Sequence, residues 1–193
     1  MPKDQKFSLI GPGVMAEAII TRLIEHSVVQ PDQITIGGPR IERLKELEAN
    51  YRIQSTLNNA HAVENADVVI LCVKPQKLSD VYDDLKNQIP ENALVISIVA
   101  GATMETLIKG LNHCNVIRTM PNTPAQIGEG ITVWTQSAET SQEQHNLAQQ
   151  ILKALGEEIF VEEESYIDMA TAVSGTGPAY VFLFLEAMID AGV

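Results

Sequence analysis

Apolar and polar positions alternate along this chain in two rhythms. Phe7-Ser8-Leu9-Ile10 reads as a short buried strand. Met15, Ala16, Ile19, Ile20, Leu23 and Ile24 then recur at the three- and four-residue spacing of a helix. The alternation repeats. Ile34-Thr35-Ile36 is a strand stopped by Gly37-Gly38-Pro39, and Ile41, Leu44, Leu47 and Tyr51 make one face of a helix. A weak third strand covers residues 52–55. Val68-Val69-Ile70-Leu71-Cys72-Val73 and Leu94-Val95-Ile96-Ser97-Ile98-Val99 are apolar on both faces, as central parallel strands covered from both sides must be. Lys74-Pro75 ends the former, because proline cannot donate to a ladder. Helices follow each, on Leu78, Val81, Tyr82 and Leu85, then on Met104, Leu107, Ile108 and Leu111. Asn115-Val116-Ile117-Arg118, Ile131-Thr132-Val133-Trp134 and Ile159-Phe160-Val161 are further strands, with a helix near 141–155 stopped by Gly156.

Strands alternating with helices of this length mean βαβ units and a mostly parallel, doubly wound sheet, hence an α/β fold. Right-handed crossovers leave few topologies. The rhythm changes after Ser174-Gly175-Thr176-Gly177-Pro178. Tyr180, Val181, Phe182, Leu183, Phe184, Leu185, Met188 and Ile189 are apolar nearly all round a helix, which should therefore be buried. Nothing follows Val193 to bury it. Either the helix packs on another chain, or the sequence is a fragment. The boundary expected is a domain over 1–160, with 161–193 beginning a helical one.

Composition narrows the picture. The chain has 193 residues and a formal net charge of −12, with acid concentrated at 139–143 and 157–164, which argues against nucleic acid as a partner. No apolar run reaches the roughly 18 residues of a membrane span. Met1-Pro2-Lys3-Asp4-Gln5-Lys6 precedes only a four-residue apolar stretch and reads as no signal peptide. Cys72 and Cys114 read as reduced, buried or half-buried thiols suited to the cytoplasm. His26, His61, His113 and His145 read as surface residues, none at metal-ligand spacing. No nucleophile and base appear together, and no metal is expected.

The candidate chemistry lies in Gly11-Pro12-Gly13-Val14-Met15-Ala16, between the first strand and the first helix. This is the G-x-G-x-x-A dinucleotide fingerprint in its strand-turn-helix setting, so the domain is of Rossmann type. Gly11 permits the tight turn, Gly13 lets a pyrophosphate reach the backbone, and Ala16 lets helix and sheet approach. Free N–H groups and the helix dipole then face the phosphates. NAD sites usually carry an acid at the end of the second strand. Here stand Gly37, Gly38, Pro39 and Arg40, so Arg40 is expected to meet a 2′-phosphate and NADP is favoured over NAD. The other reading of Arg40 is a plain residue in a first helical turn. Val73, Lys74 and Pro75, and Ala100 and Gly101, end later strands and should line the cofactor with backbone. The Lys74 side chain either touches a phosphate or is solvated.

Ser174, Gly175, Thr176 and Gly177 offer free N–H groups ahead of a helix, for the substrate or nicotinamide pocket. They also read as a helix start, with Thr176 as N-cap and Pro178 just inside. Asn122 and Thr123 lie between two prolines that fix an extended loop, a wall of the site or a plain structural segment. Arg118 either holds a carboxylate or pairs with a nearby acid. Glu162-Glu163-Glu164 should cap the following helix and stay solvated.

Three stretches exceed a generic nucleotide domain: Val73-Lys74-Pro75-Gln76, Arg118-Thr119-Met120-Pro121-Asn122-Thr123-Pro124-Ala125, and Ser174-Gly175-Thr176-Gly177-Pro178-Ala179-Tyr180. With the opening fingerprint and the closing Asp190-Ala191-Gly192-Val193, the whole chain resembles the pyrroline-5-carboxylate reductase family. That resemblance implies reduction of the cyclic imine 1-pyrroline-5-carboxylate to L-proline with NAD(P)H, the last step of proline biosynthesis. It implies a Rossmann domain followed by a helical domain that interleaves with a second copy, in a homodimer or higher homo-oligomer. It carries cofactor roles onto Gly11, Gly13, Val14, Met15, Asn59, Val73, Lys74, Pro75, Ala100 and Gly101, with Pro12 and Gly37 beside them. Asn59 falls near the adenosine ribose, or in an ordinary turn. Family members run beyond the motif that ends this sequence. The resemblance therefore puts the catalytic hydroxyl outside these residues, and this chain alone is expected to be inactive. Two rivals remain: a β-hydroxyacid dehydrogenase of similar architecture, and a non-catalytic nucleotide-binding fragment.

Overall fold

The computed structural model describes residues 5–193. The first four residues of the segment read as no signal peptide, Met1 to Asp4, lie outside them. In chain order the elements are β1 (Phe7–Ile10), α1 (Val14–Glu25), β2 (Ile34–Gly37), α2 (Ile41–Tyr51), β3 (Gln54–Thr56), α3 (Asn59–Val63), β4 (Val68–Leu71) and α4 (Leu78–Leu85). Then come β5 (Leu94–Ser97), α5 (Met104–Leu111), β6 (Val116–Met120), β7 (Gly130–Gln136), α6 (Gln142–Lys153), β8 (Gly156–Phe160), α7 (Ser165–Ala170) and α8 (Gly177–Gly192). The strands form one sheet in the order β3-β2-β1-β4-β5-β6-β7-β8. The first six are parallel, β7 runs antiparallel to β6, and β8 parallel to β7. Strand order reverses between β1 and β4, and the crevice outside their carboxyl ends is where such sheets bind ligands.

The continuous apolar runs of the central strands have the expected cause. Successive side chains point to opposite faces. Leu9, Ile70 and Ile96 join one core with Ile19, Ile20 and Leu23 of α1, Leu44 and Leu47 of α2, and Ile151 and Leu152 of α6. Ile10, Val69, Leu71 and Val95 join the other with Val63, Leu85, Leu107 and Leu111. At the far end of the sheet Trp134 is fully buried, packs on His145 and Phe160, and donates from Nε1 to Glu158 at 2.6 Å.

Several local expectations are corrected. The third strand begins at Gln54, because Arg52 closes α2 in the left-handed region (φ 58°) and cannot join a ladder. A short helix, α3, occupies the segment after it, opened by Asn58, whose side chain accepts from the His61 N–H. Gly156 starts β8 instead of ending α6. His113 is not a surface residue: it is buried, with Nε2 2.7 Å from the Ala93 carbonyl, so its polar edge is satisfied inside the protein. His145 is half-buried in the Trp134 cluster, while His26 and His61 are exposed. Cys114 is exposed; Cys72 is half-buried, and burial pushes its thiol pKa up.

The largest difference lies at the end. Residues 171–175 are a π-helical turn that joins α7 to α8. The result is one helical arm, Ser165–Gly192, of 28 residues, long and apolar enough by length and composition to cross a membrane. No such segment was expected from separate apolar runs, because the π-turn splices two of them together. Tyr180, Phe182, Leu183, Phe184 and Ile189 are all exposed along it.

Candidate active site

The first turn at the switch point is built by backbone contacts that only glycine allows. Gly11 sits at φ 102°, and a Cβ there would lie 2.8 Å from Val73 Cγ1 and 2.9 Å from the Cys72 carbonyl oxygen. Its N–H donates to Gly37 O at 2.9 Å, tying the loop to the end of β2. Gly13 is different. It lies in extended backbone (φ −91°, ψ 178°), and a Cβ there would meet only Cys72 O, at 3.9 Å. One face of Gly13 is therefore bare.

The first backbone bond of α1 runs from Glu17 N to Gly13 O at 3.1 Å. The N–H groups of Val14, Met15 and Ala16 precede it and have no partner within the helix, and Gly13 has no side chain to cap them. An uncovered glycine before three orphan donors at the positive end of a helix fits a pyrophosphate. Nothing in the local chain plugs the spot.

The end of β2 adjoins this loop. Arg40 donates from Nη2 to Pro12 O at 2.7 Å, so its guanidinium leans over the glycine turn and does not trail along α2. A Cβ on Gly38 would run into the Pro12 ring, and one on Gly37 would lie 2.8 Å from Asn59 Oδ1. Asn59 opens α3, donates from Nδ2 to Asp84 at 2.9 Å, and keeps its Oδ1 buried without a partner. Thus Gly11, Pro12, Gly13, Val14, Met15, Gly37, Arg40 and Asn59 are brought together. Val73 packs on Gly11. Lys74 is exposed and Pro75 opens a short 3-10 turn. Ala100 and Gly101 follow β5, and Gly101 (φ 75°) faces open space.

The second half of the crevice departs further from expectation. Asn122 is extended (φ −123°, ψ 170°), but its Oδ1 accepts from Ile131 N at 2.9 Å, and Thr123 begins a 3-10 turn, Thr123–Ile127. Residues 174–177 are not a loop with free amides. They lie in the helical arm, where the Thr176 N–H donates to Thr171 O at 2.9 Å, and the Thr176 hydroxyl donates to the same oxygen at 2.7 Å. Thr176 holds the N-cap position of α8 with Pro178 in the first turn, yet it caps nothing with its side chain. The π-turn matters nonetheless, since such turns recur at functional sites. A Cβ on Gly175 would lie 2.7 Å from Met120 Cε, so the turn abuts the carboxyl end of β6, next to Asn122.

Arg118 is paired within the chain. Its side chain is 2% exposed, and it donates from Nη1 to Glu164 and from Nη2 to Asp168, both at 2.6 Å. Its terminal nitrogens are spent on α7 and its N-terminal flank, which removes it as a carboxylate holder. Glu164 is accordingly not a solvated cap: its Oε1 also accepts from the Met104 N–H at 2.6 Å. Sequence reasoning offered an ion pair with a nearby acid as one reading of Arg118 but did not find Glu164 and Asp168 as its partners. The available signal was an arginine in an apolar strand, which must be paired wherever it is buried, and acids four apart at 164 and 168, on one helix face. Among the described residues no group of three or more His, Cys, Asp or Glu side chains could hold a metal ion.

Residues 6–101 match the family model described as NADP oxidoreductase, coenzyme F420-dependent, and residues 164–193 match the model for pyrroline-5-carboxylate reductase dimerisation. The pyrroline-5-carboxylate reductase of Synechocystis sp. is 39% identical over 188 residues, covering 97% of this chain and 70% of its own length. The solved structure of a pyrroline-5-carboxylate reductase from Coxiella burnetii matches with a TM-score of 0.85 at 32% identity, over 98% of this chain and 70% of that one. A pyrroline carboxylate reductase from Plasmodium falciparum, solved with NADP bound, matches with a TM-score of 0.86 at 27% identity, over 98% of this chain and 70% of that one.

Proposed function

The chain belongs to the pyrroline-5-carboxylate reductase family, and from that membership we propose that it reduces 1-pyrroline-5-carboxylate to L-proline. The bare face of Gly13 before three orphan amides is the observation that carries the reading, because a dinucleotide diphosphate finds both room and donors there. When bound there, the nicotinamide cofactor supplies the hydride that adds to the C=N carbon. Val14, Met15 and Ala16 hold the diphosphate with backbone N–H groups. Gly37 and Asn59 flank the adenosine ribose. Val73, Lys74, Pro75, Ala100 and Gly101 line the path toward the nicotinamide. Asn122, Thr123 and residues 174–177 form the facing wall, where the substrate ring lies.

NADPH is preferred over NADH in this reading. No acid stands at the end of β2 to repel a 2′-phosphate, and Arg40 already leans over the glycine turn. Replacing Arg40 with alanine should weaken NADPH binding by about tenfold or more, since a charged hydrogen bond contributes roughly 1.5–3 kcal/mol. NADH binding should change less than about twofold. Fluorescence titration with both cofactors checks this; equal losses for the two would remove Arg40 from phosphate recognition.

The chain divides into a Rossmann domain over 1–160 and the beginning of a helical domain over 161–193, which assembles with a second copy. Family membership favours the reductase over a β-hydroxyacid dehydrogenase or a nucleotide-binding module without catalysis. The working compartment is the cytoplasm, and the exposed arm is covered by protein, not by lipid or nucleic acid. The test is a coupled assay: NADPH oxidation with 1-pyrroline-5-carboxylate, against 3-hydroxyacids with NADP. Turnover of the hydroxyacid and not the imine would overturn the assignment.

A further inference from the structure

Resting on the reductase reading, we propose that Arg118 is a positioning residue for hydride transfer. From inside the sheet it holds Glu164 and Asp168, and through Glu164 the amino end of α5, so that the cofactor wall at Ala100 and Gly101 and the substrate wall at 174–177 keep one separation.

Three observations meet in this cluster. Arg118 is on β6 with its side chain 2% exposed, so its charge is held by the two acids and by nothing in solvent. Glu164 Oε1 accepts two hydrogen bonds, from Arg118 Nη1 and from the Met104 N–H, both at 2.6 Å. Met104 is the first residue of α5, three residues after Gly101. Asp168 is on α7, which runs without a break into the π-turn at 171–175. The fork of one guanidinium therefore fixes both walls of the crevice to the same strand. A lysine could not do this, because its ammonium is a point charge and lacks the planar two-armed geometry.

The lever is long enough to matter. Asp168 and Gly175 are about 10 Å apart along the arm at 1.5 Å per residue. A pivot of about 10° at Asp168 would move the π-turn by roughly 2 Å, and misplacement by about 1 Å can cost a hundredfold in rate. The pyrophosphate loop between β1 and α1 makes no hydrogen bond or ion pair to the cluster, so cofactor affinity should stay outside its influence.

The experiment uses the full assembled protein with R118K, E164A and E164Q variants. Expected for R118K is a kcat lowered about 10- to 100-fold, with the NADPH dissociation constant within about twofold of wild type. The primary isotope effect on kcat with 4-deuterated NADPH should rise. Hydrogen exchange should quicken together in peptides covering 100–106 and 171–178 and stay unchanged over 9–20. E164A should behave alike, and E164Q, whose amide oxygen still accepts from Met104, should recover most of the rate. Glu164 is about one-third exposed, so E164A keeps the test available if R118K does not fold. An unchanged kcat in both R118K and E164A would overturn the proposal. So would NADPH affinity falling in step with kcat, or faster exchange throughout the chain, since either marks a merely structural residue. If the wild-type protein does not reduce the imine, the reductase reading fails, and the paired exchange response still decides whether Arg118 couples the two walls.

Discussion

Replacing Gly13 with valine abolishes NADPH binding and leaves the fold standing. Gly13 occupies extended backbone that valine adopts readily, and its Cβ would find only the Cys72 carbonyl oxygen, at 3.9 Å. The branches then fill the space against which a diphosphate must lie. Losing two charge-assisted hydrogen bonds costs about 3–6 kcal/mol, which raises the dissociation constant roughly 100-fold to 10,000-fold. The circular dichroism spectrum and melting temperature should match wild type closely. Gly11→Ala makes the control. There φ is 102° and the added carbon meets Val73 and Cys72 within 3 Å, so folding and binding should suffer together. NADPH affinity unchanged in the valine variant would remove the diphosphate from this loop.

Charging the arm dissociates the assembly. Phe182 and Ile189 lie seven residues apart on one stripe of α8, and are 65% and 66% exposed in the single chain. In a two-fold interface each side chain is buried twice. Full burial of a large apolar side chain contributes about 1.5–3 kcal/mol, and about two-thirds of each is still open in the single chain, so the pair contributes roughly 4–8 kcal/mol per dimer. Phe182→Glu with Ile189→Glu removes that and adds unpaired charge. Sedimentation equilibrium should show monomer where wild type is dimer or larger, imine reduction should fall more than about 100-fold, and NADPH binding should persist. An unchanged mass in solution would take α8 out of the interface. Partition of the wild-type chain into lipid vesicles would mean that this 28-residue helical arm meets a bilayer instead.

The elements that the sequence displays best are those whose causes are local. The glycine turn needs only Ile10 to Glu17: a strand, two glycines, and a helix that begins without a cap. The buried strands announce themselves because parallel strands covered on both faces leave no polar positions. The stretches around Pro121 and Gly175 carried the family resemblance as plain strings of residues. What sequence reasoning left open or misjudged has a common origin too. Arg118 finds its acids 46 and 50 residues away, and Arg40 reaches back 28 residues to Pro12. His113 is buried because a carbonyl 20 residues earlier receives its ring. No window along the chain contains such pairs. The π-turn is subtler. Its composition reads as a loop and a cap, and only the bond from Thr176 to Thr171, one residue longer than an α-helical bond, makes it part of a continuous arm.

By itself, then, the order of residues determined a Rossmann-type α/β architecture and the family, and offered a candidate place for a diphosphate, because period, turn chemistry and contiguous motifs act over a few residues. Three-dimensional packing alone decided that Arg118 serves as a brace instead of a substrate ligand, that Asn59 keeps a buried oxygen facing Gly37, and that two short apolar segments fuse into one exposed helix. Those outcomes depend on which distant groups are brought within about 3 Å, a quantity fixed by the closing of the sheet and not by any stretch of chain.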